Sequence, residues 1–315
     1  MHDGGRRAVL WALAANSGIA IAKFIGYALT GAASMLAESI HSVADTGNQA
    51  LLLYGGHSAQ RAPTPEHSFG YGRERYFYAF VVALVMFALG SLFAIFEGVD
   101  KLRHPHELNS PLIAVAILVV ASILEALAFA NAVREARRVR GKATWWAFLR
   151  NSKSPELPVV LLEDFGALIG LLFALTGIGL AQLTGDPRFD SLGSIAIGIL
   201  LGAIAVFLAI EMKSLLIGES VAPAAREKIV RSIKTTPGVL DLVHLRTQHL
   251  GPDEILVGAK VALDPSFEFV QVAAKIDEIE GGIRAEVPEA RIIYIEPDVL
   301  RTGAPDDADP DPTPS

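Results

Sequence analysis

Before about residue 217 the chain consists of apolar blocks long enough to cross a bilayer, and nothing else in the sequence limits its fold so strongly. They run roughly from Ala8 to Leu29, Ser34 to Tyr54, Tyr76 to Val99, Leu112 to Val133, Leu157 to Leu183 and Leu192 to Ile217. Each fits a tilted helix through a hydrocarbon core about 30 Å thick. Arg6 and Arg7 precede the first block, which continues beyond signal-peptide length and reads as a first span. With 51% hydrophobic and only 19% charged residues, the 315-residue chain is unlike a soluble protein of its size.

Basic residues give the orientation. Arg6, Arg7, Arg61, Arg73, Arg75 and the cluster from Arg134 to Lys153 flank one side of the spans, against Lys101, Arg103 and Arg188 on the other. The positive-inside rule then places both termini in the cytoplasm, in agreement with an even number of spans. The expected host is the plasma or inner membrane.

From Glu219 the charge density is that of a water-soluble domain. Pro223 to Thr235 reads as an amphipathic helix, and Val239 to Leu250 and Ile255 to Leu263 as strands joined by a turn at Gly251-Pro252-Asp253-Glu254. Phe269 to Glu286 returns to helical spacing, and Ala290 to Ile295 is a β-branched strand. The expected organisation is an all-α six-helix transmembrane domain over residues 1–217, a cytoplasmic α+β domain of order αββαβ over 218–300, and a disordered acidic, proline-containing tail over 301–315.

The apolar blocks contain anomalies. His41 and Asp45 lie four apart within the second block, stacked on one helix face. An ionisable side chain at mid-bilayer costs about 2.5–3.5 kcal/mol on insertion scales, so such groups usually face a bundle interior or a wet cavity. An imidazole and a carboxylate converging from one face supply half of a divalent-cation site; the bland alternative is a bonded pair that ties helices together. The fifth block carries Glu163 and Asp164. Helix neighbours point about 100° apart, so both cannot address one point on a regular helix. Asp164 is the first choice as a metal ligand, with Glu163 in a supporting or proton-handling role.

With no cysteine in the chain, any metal must be held by His, Asp, Glu, Asn or backbone oxygen. His41, Asp45 and Asp164 suit Zn²⁺, and also Mn²⁺, Fe²⁺ or Co²⁺. Metal needs neutral imidazole and ionised carboxylates, so protons and metal compete, and alternating exposure of the site makes the chain a proton-coupled antiporter. Glu97 and Glu125 are weaker candidates to line the cavity, Asn16 and Asn48 to give an oxygen ligand. Lys23 is expected to snorkel to the headgroups. Glycines at 166, 170, 177, 179, 193, 198 and 202 read as close-packing positions.

Together, His41-x-x-x-Asp45, the loop from Glu66 to Arg73, the span-five aspartate and the αββαβ domain resemble the cation diffusion facilitator family over about residues 8–298. Val159 to Asp164 and Asp190-Ser-Leu-Gly-Ser-Ile are most similar to its zinc transporter 9-like branch. The resemblance implies a homodimeric six-span exporter that exchanges Zn²⁺ or a related ion for protons, with a metallochaperone-like cytoplasmic domain at the dimer interface. Three departures stand out. Val160 occupies a position where many members have histidine, and Tyr71 a loop position where a second histidine joins His67. Val243, Lys260, Tyr294 and Glu296 fill cytoplasmic ligand positions, so that domain is expected to lack a binuclear metal site and to serve in dimerisation, with His244 and His249 as the remaining candidate ligands. The expectation is a transporter and not an enzyme, with no organic cofactor and no nucleic acid partner. An intramembrane metal-dependent hydrolase and a transport-inactive regulatory subunit are the competing readings.

Overall fold

The structure is a computed structural model that describes residues 3–105 and 111–300, with side chains described from residue 17 and, in the second segment, from residue 112. The expected tail beyond Arg301 and the side chain of Asn16 lie outside the described residues. Two compact units are present. One comprises residues up to Ser58 with Glu74–Lys213, the other Ala59–Arg73 with the chain from Ser214 onward.

The first unit is helical. α1 (Asp3–Thr30) and α2 (Ala33–Ser58) are followed by α3 (Glu74–Val85), a π-helical segment (Met86–Leu92) and α4 (Phe93–Arg103), which together form the third apolar block. α5 (Pro111–Arg140), the short α6 (Trp145–Asn151), α7 (Glu156–Thr184) and α8 (Arg188–Ile217) complete it. Among the described residues, four helical stretches are long and apolar enough to span a bilayer: Glu74–Arg103, Leu112–Arg140, Glu156–Thr184 and Arg188–Ile217. α2 falls short because one of its faces is polar, and that face is buried: Ser34, Glu38, Ser39, His41, Ser42, Asp45 and Asn48 are all inside. Position 163 of α7 meets position 48 of α2, and position 170 meets position 38, so the two helices run antiparallel.

Small residues set the helix spacing. A Cβ on Gly198 would lie 2.6 Å from Ile95 Cγ1 and 2.8 Å from the Ser91 carbonyl oxygen, and one on Gly177 2.9 Å from the Phe189 carbonyl oxygen. Ser194 adds a 2.8 Å hydrogen bond to the Ala94 carbonyl. Without a hydrophobic drive between helices in lipid, such close backbone approach and interhelical hydrogen bonding hold the bundle. Gly179 differs from the other expected packing glycines, since nothing lies within 4 Å of its would-be Cβ.

The second unit is the αββαβ domain. α9 (Pro223–Thr235) and α10 (Phe269–Glu286) cover one face of a sheet of order β1-β2-β3. β1 (Val239–Gly251) pairs antiparallel with β2 (Glu254–Leu263), and β2 pairs parallel with β3 (Ala290–Asp298). Residues 255, 257, 259 and 261 of β2 point inward with the two-residue period of a strand and pack with Ile229, Ile233, Ile279 and Ile283.

Gly198→Val should therefore lower stability by about 1–3 kcal/mol, as overpacking does. The readout is a lower unfolding midpoint of the full chain in detergent, while Gly179→Ala leaves the midpoint unchanged or raises it.

Candidate functional site

The α2 stripe meets a different helix at each level. At its N-terminal end, Asp190 of α8 accepts from the backbone N–H groups of Ala33 (2.5 Å) and Ser34 (3.3 Å) and from the Ser34 hydroxyl. A carboxylate here satisfies otherwise orphaned donors and opposes the positive end of the helix dipole. A turn further on, the Lys23 ammonium of α1 lies 3.2 Å from Glu38 and donates to Ser42 Oγ at 2.7 Å. This corrects the expectation that Lys23 reaches for headgroups. Its side chain is fully buried, and both partners lie on the face of α2 that packs inward.

Beside Ser42 and further along the helix stand His41, Asp45 and Asn48. His41 Nδ1 is 3.4 Å from Asp45 Oδ1 on the same helix, so their contact ties no two helices together. Across from them, Glu163 of α7 accepts a 3.1 Å hydrogen bond from Asn48 Nδ2, and its carboxyl group neighbours that of Asp45. Both ring nitrogens of His41, Asp45 Oδ1, Asn48 Oδ1 and Glu163 Oε2 are buried without a hydrogen-bond partner. An unpartnered buried polar atom ordinarily costs about 1–3 kcal/mol, so several in one place call for an explanation. The π-helical segment borders it, since a Cβ at Gly90 would lie 4.0 Å from His41 Nδ1. Such widened turns recur at functional sites.

The rotation between adjacent α7 residues separates the two carboxylates there. Glu163 faces α2, whereas Asp164 is half-buried, with Glu125 of α5 as its electrostatic neighbour. Glu125 also acts on Glu38, Asp45 and Glu163, so the acidic field extends across α2, α5 and α7. Among the described residues no three His, Asp or Glu side chains stand close enough together to hold a metal ion. His41, Asp45, Asn48 and Glu163 gather where α2 meets α7, and Asp164 follows Glu163 on α7. Glu97 pairs with Lys101 on its own helix at 3.3 Å.

In the second unit the loop residue His67 stacks on Tyr71 with ring centroids 4.7 Å apart, and Arg61 lies 3.9 Å from the centre of the Tyr71 ring. On the sheet, Lys260 bridges Glu296 (2.9 Å) and Asp298 (3.3 Å). Hydrogen bonds from the ammonium to Glu296 and Asp298 raise the Lys260 pKa above the ordinary lysine value. A raised lysine pKa stabilises the fold at neutral pH, and this contribution is lost only as pH rises through the folded-state value. The buried His249 places Nδ1 3.4 Å from the Gly251 carbonyl oxygen.

Sequence reading passed over Glu38, although it lies seven residues before Asp45 and three before His41, on the same helical stripe. Plotting every polar residue of α2 on a helix would have found it. The pairing with Lys23, fifteen positions earlier, had no local signal.

These features define a multi-pass membrane protein with a buried, acid-rich polar stripe and a water-soluble α+β domain. The profile of the cation efflux transmembrane domain matches residues 9–217, and that of the cation efflux protein cytoplasmic domain matches 221–298. The chain belongs to the cation efflux family. It is 33% identical over 264 residues to the protein named "Proton-coupled zinc antiporter SLC30A9, mitochondrial" of Xenopus laevis, covering 83% of this chain and 47% of that one. The human protein of that name is likewise 33% identical, over 263 residues. "Cation-efflux pump FieF" of Salmonella agona is 26% identical over 289 residues, covering 91% and 90% of the two chains. The chain spans about half the length of the SLC30A9 relatives it matches.

Asp190→Ala should lower the unfolding midpoint of the full chain in detergent, at a cost of about 1–3 kcal/mol for the stranded α2 donors. Zn²⁺ affinity, read in the same preparation, should stay as it is, because Asp190 lies at the opposite end of the stripe from Glu163.

Proposed function

We propose that the chain is a proton-coupled divalent-cation antiporter, with Zn²⁺ as its first cargo and Mn²⁺, Fe²⁺ and Co²⁺ as related ones. The observation that carries this reading is the set of unpartnered buried atoms on His41, Asp45, Asn48 and Glu163 between α2 and α7. A cation accepted there takes one imidazole nitrogen and carboxylate oxygens, a donor set that suits Zn²⁺ and its neighbours. The SLC30A9 relatives, named as proton-coupled zinc antiporters, support the same cargo and coupling.

In this mechanism the cation enters between α2 and α7 and exchanges hydration water for His41, Asp45 and Glu163. Asn48 holds the Glu163 carboxylate in orientation through its amide hydrogen bond. Because the cation needs lone pairs that protons also occupy, loading releases protons and reprotonation on the far side releases the cation. Imidazole nitrogen and carboxylate oxygens are the lone pairs that both proton and cation occupy, which is what couples the two flows. Asp164 and Glu125 add to the acidic field that draws the cation in. The molecule works as a homodimer with both termini in the cytoplasm of a plasma or inner membrane. The exposed apolar side chains of Leu240, Val243 and Tyr294 on the sheet of the second unit support the dimer.

In sealed proteoliposomes with an imposed pH gradient, the full chain should take up Zn²⁺ with proton counterflow. Glu163→Gln and His41→Ala should each weaken Zn²⁺ binding by at least about 100-fold, the upper end of what even outer-shell changes do. Asp164→Asn should change it far less. Full transport by the Asp45→Ala variant would remove the site from the mechanism. Uptake should also fall as the loading side is acidified, because protons then compete with the cation for the same imidazole and carboxylate lone pairs.

A further inference from the structure

α1 meets α2 through an ammonium enclosed in apolar surroundings. The side chains of Lys23 and Glu38 are both fully buried, 3.2 Å apart, and Lys23 also donates to Ser42 at 2.7 Å. On its other side Lys23 borders a groove of about 760 Å³ between α1 and α5, lined otherwise by apolar residues such as Ala22, Ile117 and Leu124. The groove thus supplies no other partner for the ammonium. A buried ion pair is commonly no more stabilising than a well-packed apolar pair of similar volume, so helix packing alone does not account for this one.

Its position suggests what it does. Glu38 lies one helical turn before His41 and Ser42, and the charge of Lys23 bears on His41 itself. Glu38 Oε1 has no hydrogen-bond partner and abuts the backbone of α7 at Gly170, where the missing side chain leaves it room. Left uncompensated, Glu38 would be one more acidic donor beside a site that already draws on Asp45, Glu163 and the field of Glu125.

We propose that Lys23 is a positioning residue that sets the charge of the cation site: it neutralises Glu38 and keeps that carboxylate out of the cation's shell. Cargo is then held by Asp45 and Glu163, weakly enough to leave again. The inference deepens the antiport reading and rests on it for the identity of the site.

The sign of two opposite variants tests it. Zn²⁺ affinity is measured by competition titration on the full chain in detergent, and the fraction folded by the elution profile and unfolding midpoint. Lys23→Met exposes an uncompensated carboxylate and should tighten Zn²⁺ binding about tenfold, whereas Glu38→Gln leaves a bare ammonium near the site and should weaken it about tenfold. The Lys23→Met, Glu38→Gln double variant should return close to the parent value. A helix clamp without an electrostatic role gives a different result: both single variants lose stability and neither moves affinity in opposite directions, which overturns the proposal. If Lys23→Met does not fold, Glu38→Gln decides alone, because unchanged or tighter Zn²⁺ binding by that variant contradicts the assigned role. Uptake by the parent chain in proteoliposomes is measured separately. Its absence sinks the antiport reading, while the affinity pattern still judges the role of Lys23.

Discussion

A polar group carried into hydrocarbon has no water to fall back on, and that requirement organises the transmembrane unit. α2 brings Ser34, Glu38, His41, Ser42, Asp45 and Asn48 to one face, and the neighbouring helices supply what that face lacks. Asp190 comes from α8, Lys23 from α1 and Glu163 from α7. Gly170 of α7 lets that helix approach where Glu38 projects, and Gly90 lets the π-helical segment approach Leu201 of α8. The packing of the unit follows in large part from the need to satisfy one polar helix.

Satisfaction is uneven along α2, and the unevenness separates structural from functional roles. The N-terminal end is closed, because the Asp190 carboxylate collects three donors. The middle is held by an internal cation. Beyond it, His41, Asp45, Asn48 and Glu163 keep several buried atoms without a hydrogen-bond partner. The π-helical segment lies beside His41, and such widened turns recur at functional sites.

Much of this was legible in the sequence. The αββαβ order of the second unit followed from period and turn chemistry, and the spans from block length. α2 itself lacks the apolarity of a span and was recognisable only because a helix-length stretch with two ionisable groups stood between apolar neighbours. His41 and Asp45 were visible because their spacing is local. Glu163 and Asp164 were visible as a pair, but which one faces α2 depends on the rotation of α7 about its axis, and a sequence neighbour differs by about 100°. The Lys23–Glu38 pair was hidden because snorkelling and ion pairing both suit a lysine near a span end, and only the location of a carboxylate on another helix decides between them. The π-helical turn has no composition of its own.

The central claim is that a cation lodges between α2 and α7 on His41 and two carboxylates. X-ray absorption of the Zn²⁺-loaded full chain tests it most directly. The account predicts one imidazole nitrogen and oxygen neighbours at about 2.0–2.2 Å, with the outer-shell imidazole scattering disappearing in the His41→Ala chain. An imidazole signal that persists in that variant, or a parent spectrum with oxygen neighbours alone, contradicts it.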